Sequence, residues 1–388
     1  MKPVLFVTGN LPPYRAGALT RLHERELIEL ALFGGRSKHG AGAFTGELPF
    51  VHRHVRPTAL RALARSGRYR AVVCPTGGRL APLATWQGAR SAGIPLILWA
   101  SLWAHPRTAA HALSYLPLRR LYGSADAVVT YGPHVSAYVA ARGAHNVQVA
   151  PQSVDNDFWR SPDVSLPSDP SWPAAAAAKF LFVGRPVREK GVSVLLEAWR
   201  SAGVRPPAGA LVMVGAAPGR PSDRGSSRGH GAGERLDGAG EGGDGAREGG
   251  DGAREGVVRL GALTPVALRN VYAGADVLVL PSIPTRTFRE PWGLVVNEAM
   301  NRGLAVITSD AVGAAAGGLV RHGENGLVVP AGDSAQLAEA IARLAGDPPL
   351  RARLGRVGSE DVLSYDHEAW ADGFSRALAA LGLSRARW

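Results

Sequence analysis

The chain has 388 residues, a net charge of +12 and 46% apolar residues, which suffices for two domains with sizeable cores. Cys74 is the single cysteine, so the composition excludes a disulfide framework and a cysteine-based zinc site. No stretch reaches the roughly 20 apolar residues that span a bilayer, and the first apolar run is too short for the core of a signal peptide. The sequence therefore predicts a soluble, cytoplasmic, globular protein.

The positive charge is concentrated in the first half. Residues 1–171 contain 19 Lys and Arg against 9 Asp and Glu, whereas residues 172–388 contain 25 against 23. A basic half indicates an acidic partner: an anionic membrane surface, a phosphorylated substrate or nucleic acid. Arg61, Arg65 and Arg68 recur at helical spacing, which predicts either a membrane-facing helix surface or a solvated one. Nucleic acid is the least favoured partner, because no nucleic-acid-binding motif accompanies the charge.

The predicted elements alternate between strands and helices along the whole chain. Short β-branched runs are separated by Ala-, Leu- and Arg-rich stretches, which favours an α/β fold with parallel sheets. Five strands in each half predict two doubly wound, Rossmann-like domains. The predicted strands cover residues 4–7, 71–74, 95–99, 127–130, 147–150, 179–184, 210–215, 257–261, 277–281 and 305–309.

The predicted domains span residues 1–160 and 179–364. Residues 161–178 between them are rich in Pro and Ser, which is typical of a linker. Within the second domain, residues 218–256 consist almost wholly of Gly, Ala and charged residues and contain the near-repeat GGDGAREGGDGAREG. Such a segment cannot bury a core, so it is predicted to be a disordered insert without chemistry of its own.

Two carboxylates interrupt the apolar stretch FREPWGLVVNEAM (288–300). Pro291 disfavours helix at Glu290, so a helix is predicted to begin near Gly293 with Glu298 in its second turn. Free N–H groups at such a start form an anion site, and carboxylates beside that anion suit sugar hydroxyls, which donate hydrogen bonds to them. The alternative is that Glu290 only complements the helix dipole and Glu298 is solvated.

A second candidate site follows the strand at 179–184. The stretch FLFVGRPVREKGVSVLLEAW (180–199) is a strand, a turn and an amphipathic helix. Arg185 and Lys190 lie in the turn, at the carboxyl end of a parallel strand, where such sheets bind ligands. An arginine fork and a lysine point charge five residues apart can hold a diphosphate.

The second half resembles the nucleotide-sugar-binding domain of the retaining glycosyltransferases of family 4, which have the two-domain GT-B fold. The resemblance rests on VGRPVREKGVSVLLEAW, YAGADVLVLPS, EPWGLVVNEAMNRGLAVITSD and RHGENGLVVPAGD. It implies a hexosyltransferase-type enzyme that moves a sugar from a nucleotide diphosphate sugar to a saccharide or lipid-linked acceptor, as in polysaccharide or glycolipid biosynthesis. No metal and no cofactor beyond this co-substrate are expected, since the cationic groups themselves stabilise the leaving diphosphate.

The resemblance also implies roles for individual residues. Arg185 and Lys190 would bind the donor diphosphate, Glu290 the hydroxyls of the transferred sugar and Glu298 the ribose. The diphosphate or sugar would face the backbone of Gly293, Leu294 and Val295.

The first half carries fewer of the family's features. Such enzymes usually have a glycine pair after the first strand, where this chain offers only Gly17, and a histidine against the donor sugar, for which the candidate is His105. Residues 365–388 resemble the closing helix that crosses back to the first domain. Asp155, Asn156 and Asp157 spell a D-x-D motif that is interpreted as a structural turn.

Two alternatives on the same fold stay open. One is an enzyme of another class, a nucleotide-sugar epimerase or a phosphorylase, and the other is a non-catalytic sugar-nucleotide-binding protein. The donor base, the sugar and the acceptor are not specified by the sequence.

Overall fold

The computed structural model describes residues 1–34, 46–78, 80–167, 169–215 and 255–385. Most of the predicted insert at 218–256 lies outside these residues, but its last two members are described. The indole of Trp199 donates a hydrogen bond to the backbone oxygen of Glu255 at 2.9 Å, and Gly256 packs on Pro206. The described part of the fold therefore resumes at Glu255, one residue before the predicted end of the insert.

The first sheet has seven parallel strands in the order β3-β2-β1-β4-β5-β6-β7. Its central strands are buried on both faces, as expected where helices cover a parallel sheet. The strands are β1 Val4–Thr8, β2 Ile28–Leu32, β3 His52–His54, β4 Ala71–Pro75, β5 Leu96–Ala100, β6 Ala127–Thr130 and β7 Val147–Val149. The helices of this half are α1 Pro13–Glu26, α2 Leu60–Arg65, α3 Ala81–Ala92, α4 Ala109–Ser124, α5 Pro133–Ala140 and α6 Asn156–Arg160.

The second sheet has six parallel strands in the order β10-β9-β8-β11-β12-β13. They are β8 Lys179–Val183, β9 Ala210–Val214, β10 Val257–Leu260, β11 Val277–Leu280, β12 Ala305–Ser309 and β13 Leu327–Val329. The helices that follow are α7 Val192–Ala202, α8 Pro265–Gly274, α9 Val295–Asn301, α10 Gly313–Ala316, α11 Ser334–Gly346, α12 Pro348–Asp361 and α13 His367–Ala380. Two Rossmann-like sheets thus confirm the predicted fold class.

The ten predicted strands are present, but the estimate of five per half is too low. The structure adds β2, β3 and β13, which the sequence did not reveal. The edge strand β3 is the polar tripeptide HRH and β13 has three residues, so neither shows alternation over a useful length. β2 follows α1 directly, after Leu27 in a left-handed conformation, so no turn-forming residue marks its start.

The C-terminal helix α13 packs on the first sheet, as predicted. Trp370 and Phe374 are fully buried in the first domain's core together with Phe6 of β1. The ring centroids of Phe6 and Phe374 are 5.4 Å apart. The chain therefore returns to its first domain after completing the second sheet.

The three arginines of the basic stretch do not share one helix, so this part of the prediction is wrong. Helix α2 ends at Arg65, and Gly67 has a φ of 72°. Arg68 lies beyond that turn and pairs with Glu29 of β2 at 3.3 Å. Among the described residues, no helix is long and apolar enough to cross a membrane.

Candidate functional site

The loop after β8 is held against the end of β11. Gly191 has a φ of 68°, and a Cβ on it would overlap the backbone oxygen of Pro281. Beside it, the Ile283 amide donates to the backbone oxygen of Glu189 at 3.0 Å. Glycine is thus required for the two loops to meet, which brings Lys190 to the carboxyl edge of the sheet.

Lys190 and Glu290 form the centre of the site. The Lys190 ammonium donates to Glu290 Oε2 at 2.6 Å, and the Ser282 hydroxyl donates to the same oxygen at 3.2 Å. Glu290 is 8% exposed, so its carboxylate is fixed by two donors in a largely dehydrated environment. One carboxylate oxygen, Oε1, has no protein donor among the described residues and is available to a ligand hydroxyl.

The segment after Glu290 turns sharply into α9. Gly293 has a φ of 94°, where a Cβ would lie 2.6 Å from Leu280 Cδ2, so only glycine fits. Helix α9 begins at Val295, two residues later than predicted, and Glu298 is in its first turn rather than its second. No acceptor within the described ranges pairs with the amides of Gly293, Leu294 and Val295, which leaves these donors for an anion.

Glu298 is anchored by a tyrosine of α8. The Tyr272 hydroxyl donates to Glu298 Oε2 at 2.9 Å. Burial raises the pKa of Glu298 to about 7, and the Tyr272 hydrogen bond opposes this rise by favouring the ionised form. The carboxyl group therefore titrates near neutral pH, well above the pH at which a solvent-exposed glutamate titrates.

Arg185 follows β8 on the same edge. Its side chain is exposed and forms no hydrogen bond or ion pair with another described residue. Lys190 passes close by, because a Cβ on Gly184 would lie 3.7 Å from Lys190 Cδ. The structure thus brings Arg185, Lys190, Glu290 and the start of α9 to one edge of the second sheet.

Loops of the first domain close over this edge. The Trp103 indole donates to the backbone oxygen of Glu290 at 3.1 Å, and the Arg107 amide donates to the backbone oxygen of Arg286 at 2.6 Å. His134 Nε2 lies 3.3 Å from the backbone oxygen of Pro291. Burial lowers the pKa of His134, so a neutral imidazole that donates to this carbonyl is favoured.

His105 and Gly17 both have close neighbours of their own in the structure. His105 Nδ1 is 3.3 Å from the Tyr138 hydroxyl and its Nε2 is 2.8 Å from the backbone oxygen of His111, so both ring nitrogens have partners in the first domain. Gly17 lies in α1, where a Cβ would approach His367 Cε1 to 2.5 Å. Close packing against His367 thus explains why residue 17 is a glycine. A contact of His105 or Gly17 with the donor stays a prediction.

Four residues of the site were not predicted: Ser282, Tyr272, Trp103 and His134. His134 lies four residues after the end of β6, in the sequence TYGPH, and a polar residue near the carboxyl end of a parallel strand is a signal that could have found it. Ser282 follows β11 in the same way. Trp103 and Tyr272 act through contacts between distant segments, for which the sequence carries no local signal.

The first aspartate of the D-x-D motif has a structural partner. Asp155 of the D-x-D motif caps α6 by accepting a hydrogen bond from the Phe158 amide at 2.9 Å. Over the described ranges, no group of three or more His, Cys, Asp and Glu side chains is placed to hold a metal ion.

Residues 177–347 match the model of the family described as glycosyl transferases group 1. The match lies in the second half of the chain and confirms the resemblance found there. The phosphatidyl-myo-inositol mannosyltransferase of Mycobacterium leprae is 35% identical over 125 residues, which are 32% of this chain and 32% of that protein. The D-inositol 3-phosphate glycosyltransferase of Nocardia farcinica is 38% identical over 31% of this chain and 23% of its own. The matched stretch thus spans about a third of these relatives or less.

Solved structures extend the likeness to the whole chain. The Anabaena protein HepE in complex with UDP and glucose is similar with a TM-score of 0.67 at 18% identity, over 98% of this chain and 100% of that chain. A UDP-forming α,α-trehalose-phosphate synthase from Burkholderia xenovorans reaches a TM-score of 0.67 at 15% identity, over 100% of both chains. At such identities the likeness establishes the fold, which is GT-B.

Proposed function

We propose that this protein is a retaining glycosyltransferase that moves a sugar from a nucleotide diphosphate sugar to an acceptor bound by its first domain. The observation that carries the proposal is the Lys190–Glu290 pair, 2.6 Å apart at the carboxyl edge of the sheet within the matched domain. The pair places an ammonium group that can bind a diphosphate beside a fixed carboxylate that can accept hydrogen bonds from a sugar. Alternative activities on this fold are not favoured by any contact in the site.

The donor fits the site in three parts. Arg185, Lys190 and the free amides at the start of α9 bind the diphosphate, since all are donors and two are cationic. Glu290 accepts hydrogen bonds from hydroxyls of the transferred sugar, and Glu298 accepts them from the ribose. Lys190 has three N–H donors, so it can hold Glu290 and a phosphate oxygen together.

The proposed reaction replaces one bond at the anomeric carbon with another on the same face. The bond from the anomeric carbon to the diphosphate oxygen breaks, and the acceptor oxygen forms the new bond. The hydroxyl proton of the acceptor passes to an oxygen of the departing diphosphate. Arg185, Lys190 and the α9 amides stabilise the charge that gathers on that group, so the proposal requires neither a metal nor a further cofactor.

The acceptor is proposed to be a saccharide, a phosphorylated polyol or a lipid-linked molecule. The named relatives act on phosphatidyl-myo-inositol and D-inositol 3-phosphate, which are chemically of these kinds. A lipid-linked acceptor requires that the first domain approach a membrane.

A surface on α3 and α4 suits peripheral contact with an anionic membrane. Leu113 is 82% exposed and Leu116 is 69% exposed, and Leu116 borders an apolar groove together with Leu83 of α3. Arg119 and Arg120 follow in the same helix, and neither α3 nor α4 contains an acidic residue. Leucines can enter the interface while arginines meet lipid phosphates. This surface replaces the predicted arginine stripe as the candidate membrane face.

The donor assignment is tested by transfer and hydrolysis assays with UDP-, GDP- and ADP-sugars. UDP-sugars are the first choice because HepE was solved with UDP. One nucleotide should raise the melting temperature and its sugar conjugate should be hydrolysed slowly without an acceptor. If the intact chain binds a nucleotide sugar but neither hydrolyses it nor transfers its sugar to any acceptor tested, the non-catalytic alternative is supported instead.

A further inference from the structure

We infer that the cavity of the first domain binds an oxyanion carried by the acceptor, a phosphate or a carboxylate, and that Arg15 recognises it. The inference rests on the proposed function, because it assigns a chemical class to the acceptor of that reaction. It depends on a buried arginine that has no anionic partner among the residues that the structure describes.

The cavity lies where the carboxyl ends of five strands of the first sheet meet. Its volume is about 550 Å³, within the usual range for a site that encloses a small molecule. Arg15 is the single charged residue among the described residues that line it, and none of these is acidic. They are Thr8, Gly9, Asn10, Pro12, Tyr14, Arg15, Phe33, Gly34, Pro75, Thr76, Gly77, Gly78, Trp99, Ser101 and Tyr131.

Arg15 is buried with part of its hydrogen-bonding capacity unused. It is 5% exposed, its Nη2 donates to Gln152 Oε1 at 2.5 Å, and its Nη1 has no partner within the described ranges. The other two arginines of similar burial differ, because Arg70 pairs with Glu26 at 2.9 Å and Arg269 donates to backbone oxygens from both Nη atoms. A buried cation without an anionic partner is costly in the free protein, so its retention points to an anionic ligand.

Aromatic rings hold the Arg15 guanidinium in place. Its Cζ lies 5.3 Å from the ring of Trp99 and 5.1 Å from that of Trp370, with Tyr14 at 5.4 Å. The buried Trp99 Nε1 also has no acceptor within the part of the chain that the structure describes. Two unpaired donors that line one cavity favour a ligand with several acceptor oxygens.

The rest of the cavity suits a sugar-like body. Phe33, Trp99 and Tyr131 offer apolar faces to the C–H groups of a ring, while Thr76 and Ser101 offer hydroxyls. Ser101 lies two residues before Trp103, whose indole donates to the backbone oxygen of Glu290. One loop of the first domain therefore borders the cavity and contacts the donor site.

The test measures binding of simple probes by calorimetry, without any transfer. The probes are glucose 6-phosphate, glucuronate and glucose, each added to the full chain with the donor nucleotide present. At least one anionic probe should bind tenfold or more tightly than glucose. Arg15→Gln should remove this preference, since a charge-assisted contact is worth about tenfold to a hundredfold in affinity. Arg15→Lys should retain part of it, because the charge remains but the fork is lost.

The control variant is Arg61→Gln, which neutralises an exposed arginine of the same domain and should leave probe binding unchanged. Correct folding of each variant is verified by its melting temperature and by its affinity for the donor nucleotide. Comparing glucose 6-phosphate with glucuronate distinguishes phosphate from carboxylate. If both anionic probes bind no tighter than glucose, or bind Arg15→Gln as well as the parent, the inference is overturned. Donor hydrolysis is assayed separately and tests the proposed function independently of this inference.

Discussion

Lys190 Nζ lies 2.6 Å from Glu290 Oε2 although 100 positions separate the two residues in the chain. Both side chains are largely buried, so each is the main counter-charge of the other. Their loops follow neighbouring strands, β8 and β11, and this adjacency in the sheet creates the pair. A substitution that breaks this ion pair should therefore change both the stability of the second domain and the geometry of the donor site.

Removing one member of the pair should destabilise the protein more than removing both. Lys190→Met leaves the Glu290 carboxylate buried with Ser282 as its one remaining donor among the described residues, which should cost up to about 3 kcal/mol of unfolding free energy. Lys190→Met combined with Glu290→Gln leaves no uncompensated charge and should recover most of that loss. Urea unfolding of the parent, both single variants and the double variant measures the coupling energy. Strictly additive effects would show that the pair contributes no interaction energy.

Glu298 should make stability depend on pH in a predictable direction. Its pKa of about 7 in the folded protein exceeds the value of 4.5 for a free side chain. Between these values the unfolded chain loses the Glu298 proton while the folded protein keeps it, so the unfolding free energy should fall as pH rises. Above pH 7 this contribution should level off. Glu298→Gln should lack this component, as urea unfolding of both proteins from pH 5 to 8 can show; identical profiles would contradict it.

The same carboxyl group should link nucleotide binding to protons. Ribose hydroxyls donate to the ionised form, so the affinity for the nucleoside diphosphate should increase between pH 6 and 8 as Glu298 loses its proton. The ligand phosphate also ionises near pH 6. Glu298→Gln serves as the control for that effect, and the difference between the two proteins isolates Glu298. Calorimetry should reveal proton release on binding by the parent that the variant lacks.

Gly191 and Gly203 at the two ends of α7 provide a matched pair of substitutions. Their φ angles are 68° and 67°, so alanine at either position bears the same backbone strain, about 1–2 kcal/mol. A Cβ on Gly203 meets nothing within 4 Å, whereas one on Gly191 overlaps the backbone oxygen of Pro281. Gly191→Ala should therefore lower the melting temperature further and weaken donor binding, because Lys190 moves with the loop. Equal melting temperatures and equal donor affinities would show that the loop contact does not position the site.

The Gly-rich insert should be dispensable if its anchored end is kept. Replacing residues 219–253 with a short Gly/Ser linker leaves Glu255, whose backbone oxygen accepts the Trp199 hydrogen bond. Because β9 and β10 are paired in the sheet, the linker has only to join their ends. Melting temperature and donor turnover should stay nearly unchanged. A collapse of either would show that the segment contributes to the folded domain or to the site.

The sequence predicted the features that depend on local patterns. Strands such as 127–130 show as continuous apolar runs, and the turn around Gly293 is marked by Pro291 and the glycine itself. The pairing of Lys190 with Glu290 was not predicted, although each residue was assigned to the donor, because strand order decides which loops are neighbours. The burial of Arg15 was not predicted for the same reason: it depends on Trp370, which returns from the far end of the chain.

The division of labour between Glu290 and Glu298 is the central claim, and one paired measurement tests it. Calorimetry with the nucleoside diphosphate is set beside a transfer assay for Glu290→Gln and Glu298→Ala. Glu290→Gln should leave nucleotide affinity almost unchanged while transfer falls by orders of magnitude, because the sugar is misplaced as its bond breaks. Glu298→Ala should weaken nucleotide binding about tenfold to a hundredfold. If Glu290→Gln weakens nucleotide binding as much as Glu298→Ala does, or if it transfers sugar at the parent's rate, the account is contradicted.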